Sequence, residues 1–196
     1  MRRGLISVAL FAAFVVIFTL SRHTTTPTTT TTTTTSPTTT SSMPVTTTTS
    51  GTTCHGSDFS GAFIQGQGAA GTIYASVTLT MKSGVPCTID GWPVLTLQDK
   101  TGAVLPLTEV LAPSSTLATN FPDSRANQAP AKFSMHQGST AAFSLYYNDV
   151  QVGNTACVNA VTISVQLQKG GSAIPVTPDY PIQPCDNGRI VVSPLY

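Results

Sequence analysis

The chain has 196 residues, with nine Lys+Arg against eight Asp+Glu and a formal net charge of +1. Charged residues make up 9% of it, against about 25% in ordinary domains. No cluster of Lys and Arg occurs in residues 54–196, which excludes nucleic acid as a partner, because neutralising phosphates needs such a patch; an acidic, cation-storing surface is absent too.

Met1, Arg2 and Arg3 form a short basic start, and residues 4–20 are apolar apart from Ser7 and Thr19. As a helix this run covers roughly 25 Å, slightly less than a hydrocarbon core, and it is longer than most secretory h-regions. Thr19 and Ser21 put small residues where a signal peptidase reads them, but Arg22 follows, and no cysteine after the run offers a lipid attachment point. Residues 1–22 therefore read as an uncleaved signal-anchor, with a cleaved signal peptide as the alternative. Arg2 and Arg3 would hold the N-terminus in the cytoplasm. The expected location is the cell membrane, crossed once through this N-terminal helix with the C-terminal domain extracellular, or secretion if the N-terminus is cleaved.

Residues 23–53 are mostly threonine, with Pro27, Pro37 and Pro44, and only Met43 and Val45 are apolar. A segment so poor in apolar side chains cannot fold on a core and reads as a disordered linker. β-branched Thr and φ-fixed Pro make it stiff. The composition is that of an O-glycosylated stalk or a bare spacer; extended, about 30 residues reach up to roughly 90 Å.

Residues 54–196 form the third unit and read as β. In 72–82, Ile73, Ala75, Val77, Leu79 and Met81 alternate with polar neighbours, the period of a strand with one buried face. Residues 94–98 and 103–107 are separated by Asp99-Lys100-Thr101-Gly102, a hairpin signal. The segment 108–131, rich in Pro, Ser, Ala and Asn, reads as a long connection, either functional or mobile. A strand at 132–135, a turn at 136–139 and a strand at 140–147 follow. Val161, Ile163, Val165 and Leu167 alternate with Thr and polar residues, Lys169-Gly170-Gly171-Ser172 turns, and 189–192 is the last strand. No stretch has a convincing helical period; short strands with frequent turns predict a sandwich or barrel.

The four cysteines, Cys54, Cys87, Cys157 and Cys185, are widely spaced and none forms Cys-x-x-Cys. An even count beyond an export signal reads as two disulfides rather than a zinc or redox site.

Cys54, Ala69-Ala70-Gly71 leading into a strand, Pro86-Cys87-Thr88-Ile89-Asp90-Gly91-Trp92-Pro93, Gln137-Gly138-Ser139-Thr140-Ala141, Cys157, and Cys185 with Arg189-Ile190-Val191-Val192-Ser193-Pro194 together resemble a bacterial envelope family known as domain of unknown function 4232, common in actinobacterial lipoproteins and secreted proteins. The resemblance covers nearly all of 54–196. It implies an immunoglobulin-like antiparallel β-sandwich and an exported location, and no activity. The chain departs from the common lipoprotein form in lacking the lipid-bearing cysteine. Four cysteines allow three pairings. The expectation is Cys54 with Cys87, because Cys54 opens the domain and Cys87 follows its first long strand, and Cys157 with Cys185, which flank the last hairpin; the other pairings stay open.

Candidate chemistry is sparse. His55 follows Cys54 and His136 follows Met135, so a His–Met copper set is conceivable, but strand neighbours point to opposite faces, and turn or surface histidines are the plainer reading. Glu109, Asp90, Asp99, Asp123, Asp149, Asp179 and Asp186 mostly neighbour turn residues, where carboxylates make local hydrogen bonds. No Gly-x-Ser-x-Gly occurs. The expectation is no enzyme, no metal and no cofactor. For binding, one of the adjacent Tyr146 and Tyr147 must face outward, and with Tyr74 it would form an aromatic strip. Trp92 is either a further binding aromatic or a core aromatic beside a disulfide. The functional expectation is a membrane-tethered, non-catalytic envelope domain contacting a protein or glycan; the alternative is a small-ligand or metal carrier using His55, His136 or the 108–131 loop.

Overall fold

The computed structural model describes residues 51–196, and the expectations for 1–22 and most of 23–53 lie outside them. Among the described residues no helix is long and apolar enough to cross a membrane. The described residues, 51–196, form an all-β unit with ten strands in three sheets. Thr52 and Thr53 already join it: the Thr88 N–H donates to the Thr52 carbonyl at 2.9 Å, and Thr53 bridges Thr88.

The largest sheet has the order β1–β2–β7–β10–β5, with β1 Phe59–Ala69, β2 Thr72–Met81, β5 Thr108–Leu111, β7 Thr140–Asn148 and β10 Arg189–Val192. A second sheet runs β4–β8–β9, with β4 Val94–Gln98, β8 Thr162–Gln166 and β9 Ala173–Val176. The short β3 Cys87–Ile89 and β6 Phe133–Met135 form the third.

Period-two alternation builds the core. Ala75, Val77, Leu79 and Met81 of β2 and Ala141, Phe143, Leu145 and Tyr147 of β7 are buried on one side of the large sheet. Leu95 and Leu97 of β4, Ile163 and Val165 of β8, and Ile174 and Val176 of β9 meet them in the same cluster. Both disulfides are Cys54–Cys87 and Cys157–Cys185, and no described cysteine is free. The first lies within this core and ties the start of the unit to β3. The second spans the β8–β9 hairpin and ties its two ends.

Two expectations are corrected. The segment 108–131 is not a bare connection: it begins with β5, which pairs in parallel with β10, Glu109 opposite Ile190 and Val110 opposite Val191. That parallel pair also departs from the expected all-antiparallel pattern. The 94–98/103–107 hairpin closes only at its turn, through a Gln98–Val104 bridge whose two bonds run from the Asp99 N–H to the Ala103 carbonyl at 3.0 Å and from the Leu105 N–H to the Leu97 carbonyl at 2.9 Å. Pro106 has no N–H with which to extend the ladder.

The register of β5 has an energetic consequence. Ile190 faces the core, so Glu109 beside it faces inward, and its Oε1 is buried without a hydrogen-bond partner. Desolvation pushes the carboxyl up to about 7, opposed by the Leu95 backbone amide. A carboxyl that holds its proton more tightly folded than unfolded stabilises the fold fully below the unfolded value of 4.5, and that stability is lost as pH rises towards 7. At about 1.4 kcal/mol per unit, reduced because the side chain keeps contact with solvent, the loss is roughly 1–2 kcal/mol. Glu109→Gln should remove this decline and be the more stable protein at pH 8, read as urea midpoints between pH 4.5 and 8. Parallel pH profiles for the two proteins would refute this assignment.

Candidate functional site

The outer side of the large sheet carries a second apolar cluster. On β10, Ile190 and Val192 point into the core, whereas Val191 points outward, where it joins Ala112, Phe121 and Ala126. These three come from the excursion after β5. Its first bond is from the Ala112 N–H to the Val192 carbonyl at 3.0 Å, which carries the chain back over the sheet.

The excursion is shaped by its own polar side chains. Asn127 clamps Phe121: its Oδ1 accepts from the Phe121 N–H at 2.8 Å and its Nδ2 donates to the Phe121 carbonyl at 2.9 Å. Asp123 caps the one-turn 3-10 segment Ser124–Asn127, accepting from the Arg125 N–H. Arg125 then folds back on its cap, Nε to Oδ1 at 3.1 Å and Nη2 to Oδ2 at 2.7 Å. That fork holds the Asp123 carboxyl below its usual value, so it is ionised at neutral pH and locally neutralised. The same guanidinium lies over the Tyr196 ring, 4.8 Å from its centroid.

The tyrosines sort by strand parity. Tyr147 is only 3% exposed and desolvation pushes its phenol up to about 12. Tyr146 takes the outer face, directly opposite Tyr74 in the β2–β7 register, with ring centroids 5.4 Å apart. The expected strip therefore exists as a pair. It is not an open surface: Phe121 packs on Tyr146 at 5.5 Å, and both tyrosines are half-buried. Trp92 stands apart from them. It is half-buried between β3 and β4, its Nε1 without a partner, and it does not line the space beside the tyrosines.

That space is a groove of about 300 Å³ over β1 and β2, open on one side and bounded on the other by the excursion. Its apolar lining is Ile64, 54% exposed, together with Tyr74, Ala75 and Pro122. Its polar lining is Ser76, Asp123, Ser144 and Tyr196. The Ser144 and Tyr196 hydroxyls bond each other at 2.9 Å, and burial raises the Tyr196 phenol. Gly66 lines it too, and a Cβ there would meet the Tyr74 carbonyl oxygen of the neighbouring strand, so the close approach of β1 to β2 admits no larger residue. It lies in the register shift of β1 between Gln65 and Gly68, an irregularity of the kind that accompanies binding sites at sheet edges.

Ile64, Ser76, Asp123, Ser144 and Tyr196 escaped the sequence reading, since they come from five separate segments with no local motif joining them. His55 and His136 are exposed, and the backbone N–H of each is held within its own turn, by Asp58 and Ser139. Among the described residues, no group of three His, Cys, Asp or Glu is placed to hold a metal ion.

A family model described as Domain of unknown function (DUF4232) matches residues 54–196, well over half of the chain. No curated protein and no solved structure matches it.

Proposed function

We propose a function that starts from family membership: the chain belongs to the DUF4232 family, and residues 54–196 act as a non-catalytic contact domain of the cell envelope. The domain is held outside the membrane by an apolar N-terminal helix and a threonine-rich stalk, and it engages an envelope protein or glycan through the groove beside Tyr74. The fold we infer for it is an immunoglobulin-like β-sandwich. The shared core of the five- and three-stranded sheets supports that reading, as do the two disulfides within the unit.

The observation that carries the contact reading is the convergence, in one groove, of an aromatic wall, a fixed carboxylate and a hydroxyl pair from four chain segments. The non-catalytic reading rests on how the acids are placed. The carboxyl with a raised value, Glu109, lies inside β5 and no second titratable group acts on it. The groove carboxylate, Asp123, is bound up by Arg125. General acid–base work needs a group free to exchange a proton with a substrate.

The test is contact mapping in cells that display the full chain. A photo-reactive phenylalanine analogue at Ile64, on the groove wall, should yield a cross-linked envelope component. The same analogue at Val152, exposed and not lining the groove, should not. No adduct from position 64, or equal adducts from both, would defeat the groove as the contact surface. Turnover by the purified chain that Asp123→Asn abolishes would defeat the non-catalytic assignment.

A further inference from the structure

The chemistry of the groove discriminates between ligand classes. Its floor is β2, which is paired on one side by β1 and on the other by β7. Along β2 an extended peptide has no free edge to add to; the free edge belongs to β1, the outermost strand, whose ladder with β2 is interrupted beside Tyr74, and a strand added there would lie in the plane of the sheet and not over Tyr74. A charged ligand gains little, because Arg125 and Asp123 neutralise each other at the rim. A purely apolar ligand would strip water from the Ser76, Ser144 and Tyr196 hydroxyls without replacing its hydrogen bonds.

What the lining does offer is one aromatic ring and a ring of neutral hydroxyls around a carboxylate that still has acceptor capacity. Asp123 Oδ1 accepts from the Arg125 N–H and Nε and Oδ2 from Nη2, and the Tyr196 hydroxyl acts on the same carboxylate. A carboxylate has about four acceptor positions, so a ligand hydroxyl would share the last of them with Tyr196 or displace it. In the Ser144–Tyr196 pair one hydroxyl donates to the other, and their oxygens keep lone pairs that can accept from a ligand hydroxyl. The volume, about 300 Å³, is at the small end of ligand sites, which run to about 1,000 Å³.

We propose that this groove binds a neutral sugar, a pyranose or furanose unit at the end of a glycan, with its C–H face against Tyr74 and its hydroxyls on Asp123 and the Ser76, Ser144 and Tyr196 hydroxyls. The proposal rests on the contact-domain reading above and names its ligand class.

The experiment is calorimetric titration of the full chain, purified in a detergent without sugar headgroups. The probes are neutral pentoses, hexoses and N-acetylhexosamines and their oligomers of up to four units. A saturable isotherm with at least one sugar is expected. Tyr74→Ala and Asp123→Asn should each weaken it by about tenfold or more. Val152→Ser, off the groove, should leave it within about twofold, and Tyr74→Phe, which keeps the ring, should bind more tightly than Tyr74→Ala; a thermal melt of each variant establishes that it is folded. No binding by any sugar to the folded chain overturns the proposal, as does binding that Tyr74→Ala and Asp123→Asn leave intact. A protein adduct from Ile64 with no sugar isotherm would overturn the sugar assignment while keeping the contact domain. An absence of both would defeat the two readings together.

Discussion

Replacing Cys54 and Cys87 together by alanine should lower the stability of the unit by about 4 kcal/mol. The bond closes a loop with a sequence separation of 33, and cross-linking a loop of that length removes roughly 3.8 kcal/mol of chain entropy from the unfolded state. The folded state loses something as well. Cys54 is 2% exposed and Cys87 5%, both inside the main core, and the Cys87 sulfur sits 3.9 Å from that of Met81. Two alanines leave a void there, and voids in packed interiors destabilise in proportion to their size. Cys157→Ala with Cys185→Ala should cost less, about 3–3.5 kcal/mol. Its separation is 28, almost the same loop entropy, but Cys157 is exposed and only Cys185 is buried. Urea unfolding of both double variants, compared with the parent chain under non-reducing conditions, measures the two losses. Equal losses would show that loop entropy sets the contribution and that the buried sulfurs of Cys54 and Cys87 add nothing; a greater loss for the second bridge, whose loop is the shorter, would refute the ranking outright.

How much of this was legible in the chain depends on which side of each strand meets solvent. β2, β7 and β8 alternate cleanly because each buries one face only. β1 hides because Gly61, Gly66 and Gly68 interrupt it; Gly61 stands where a Cβ would meet Val176 of the other sheet, so close packing removes the very side chain that would have marked the strand. β5 hides for the opposite reason. Its inward position holds Glu109, and its outward Val110 is covered by the excursion that follows. β9 has the right alternation, but Pro175 and a length of four residues weaken it. The fate of Tyr146 follows from parity and was readable. Its partnership with Tyr74 depends on inter-strand register, which one sequence does not display. Asp123, Ser144 and Tyr196 lie further still from any local signal, because only the folded excursion and the segment after β10 bring them to the groove. Tyr196 reaches it through paired bonds with Ala142, N–H to carbonyl at 2.9 Å one way and 2.8 Å the other.

The same parity separates the part of the fold that forms the core from the part that lines the groove. Along β7, positions 141, 143, 145 and 147 enter the core. Position 144 lines the groove and 146 joins the outer cluster. Phe143 lies opposite Val77 at the middle of the β2–β7 ladder and is 0% exposed. Phe143→Ala should cost about 3–5 kcal/mol through lost burial and a retained cavity, comparable with losing a disulfide. Phe143→Leu, which keeps most of the volume, should cost less than about 1.5 kcal/mol. Neither change touches Ser144, Tyr74 or Asp123, since all three lie on the outer face. Well below its melting temperature, Phe143→Ala should therefore bind ligand with the affinity of the parent chain. Urea unfolding and the sugar titration, run on the same preparation, test the two halves together. A stability loss under 2 kcal/mol would mean that the core collapses to fill the site. A stable but binding-deficient Phe143→Ala would mean that the groove geometry is transmitted through β7, and that the two faces of the strand do not act independently.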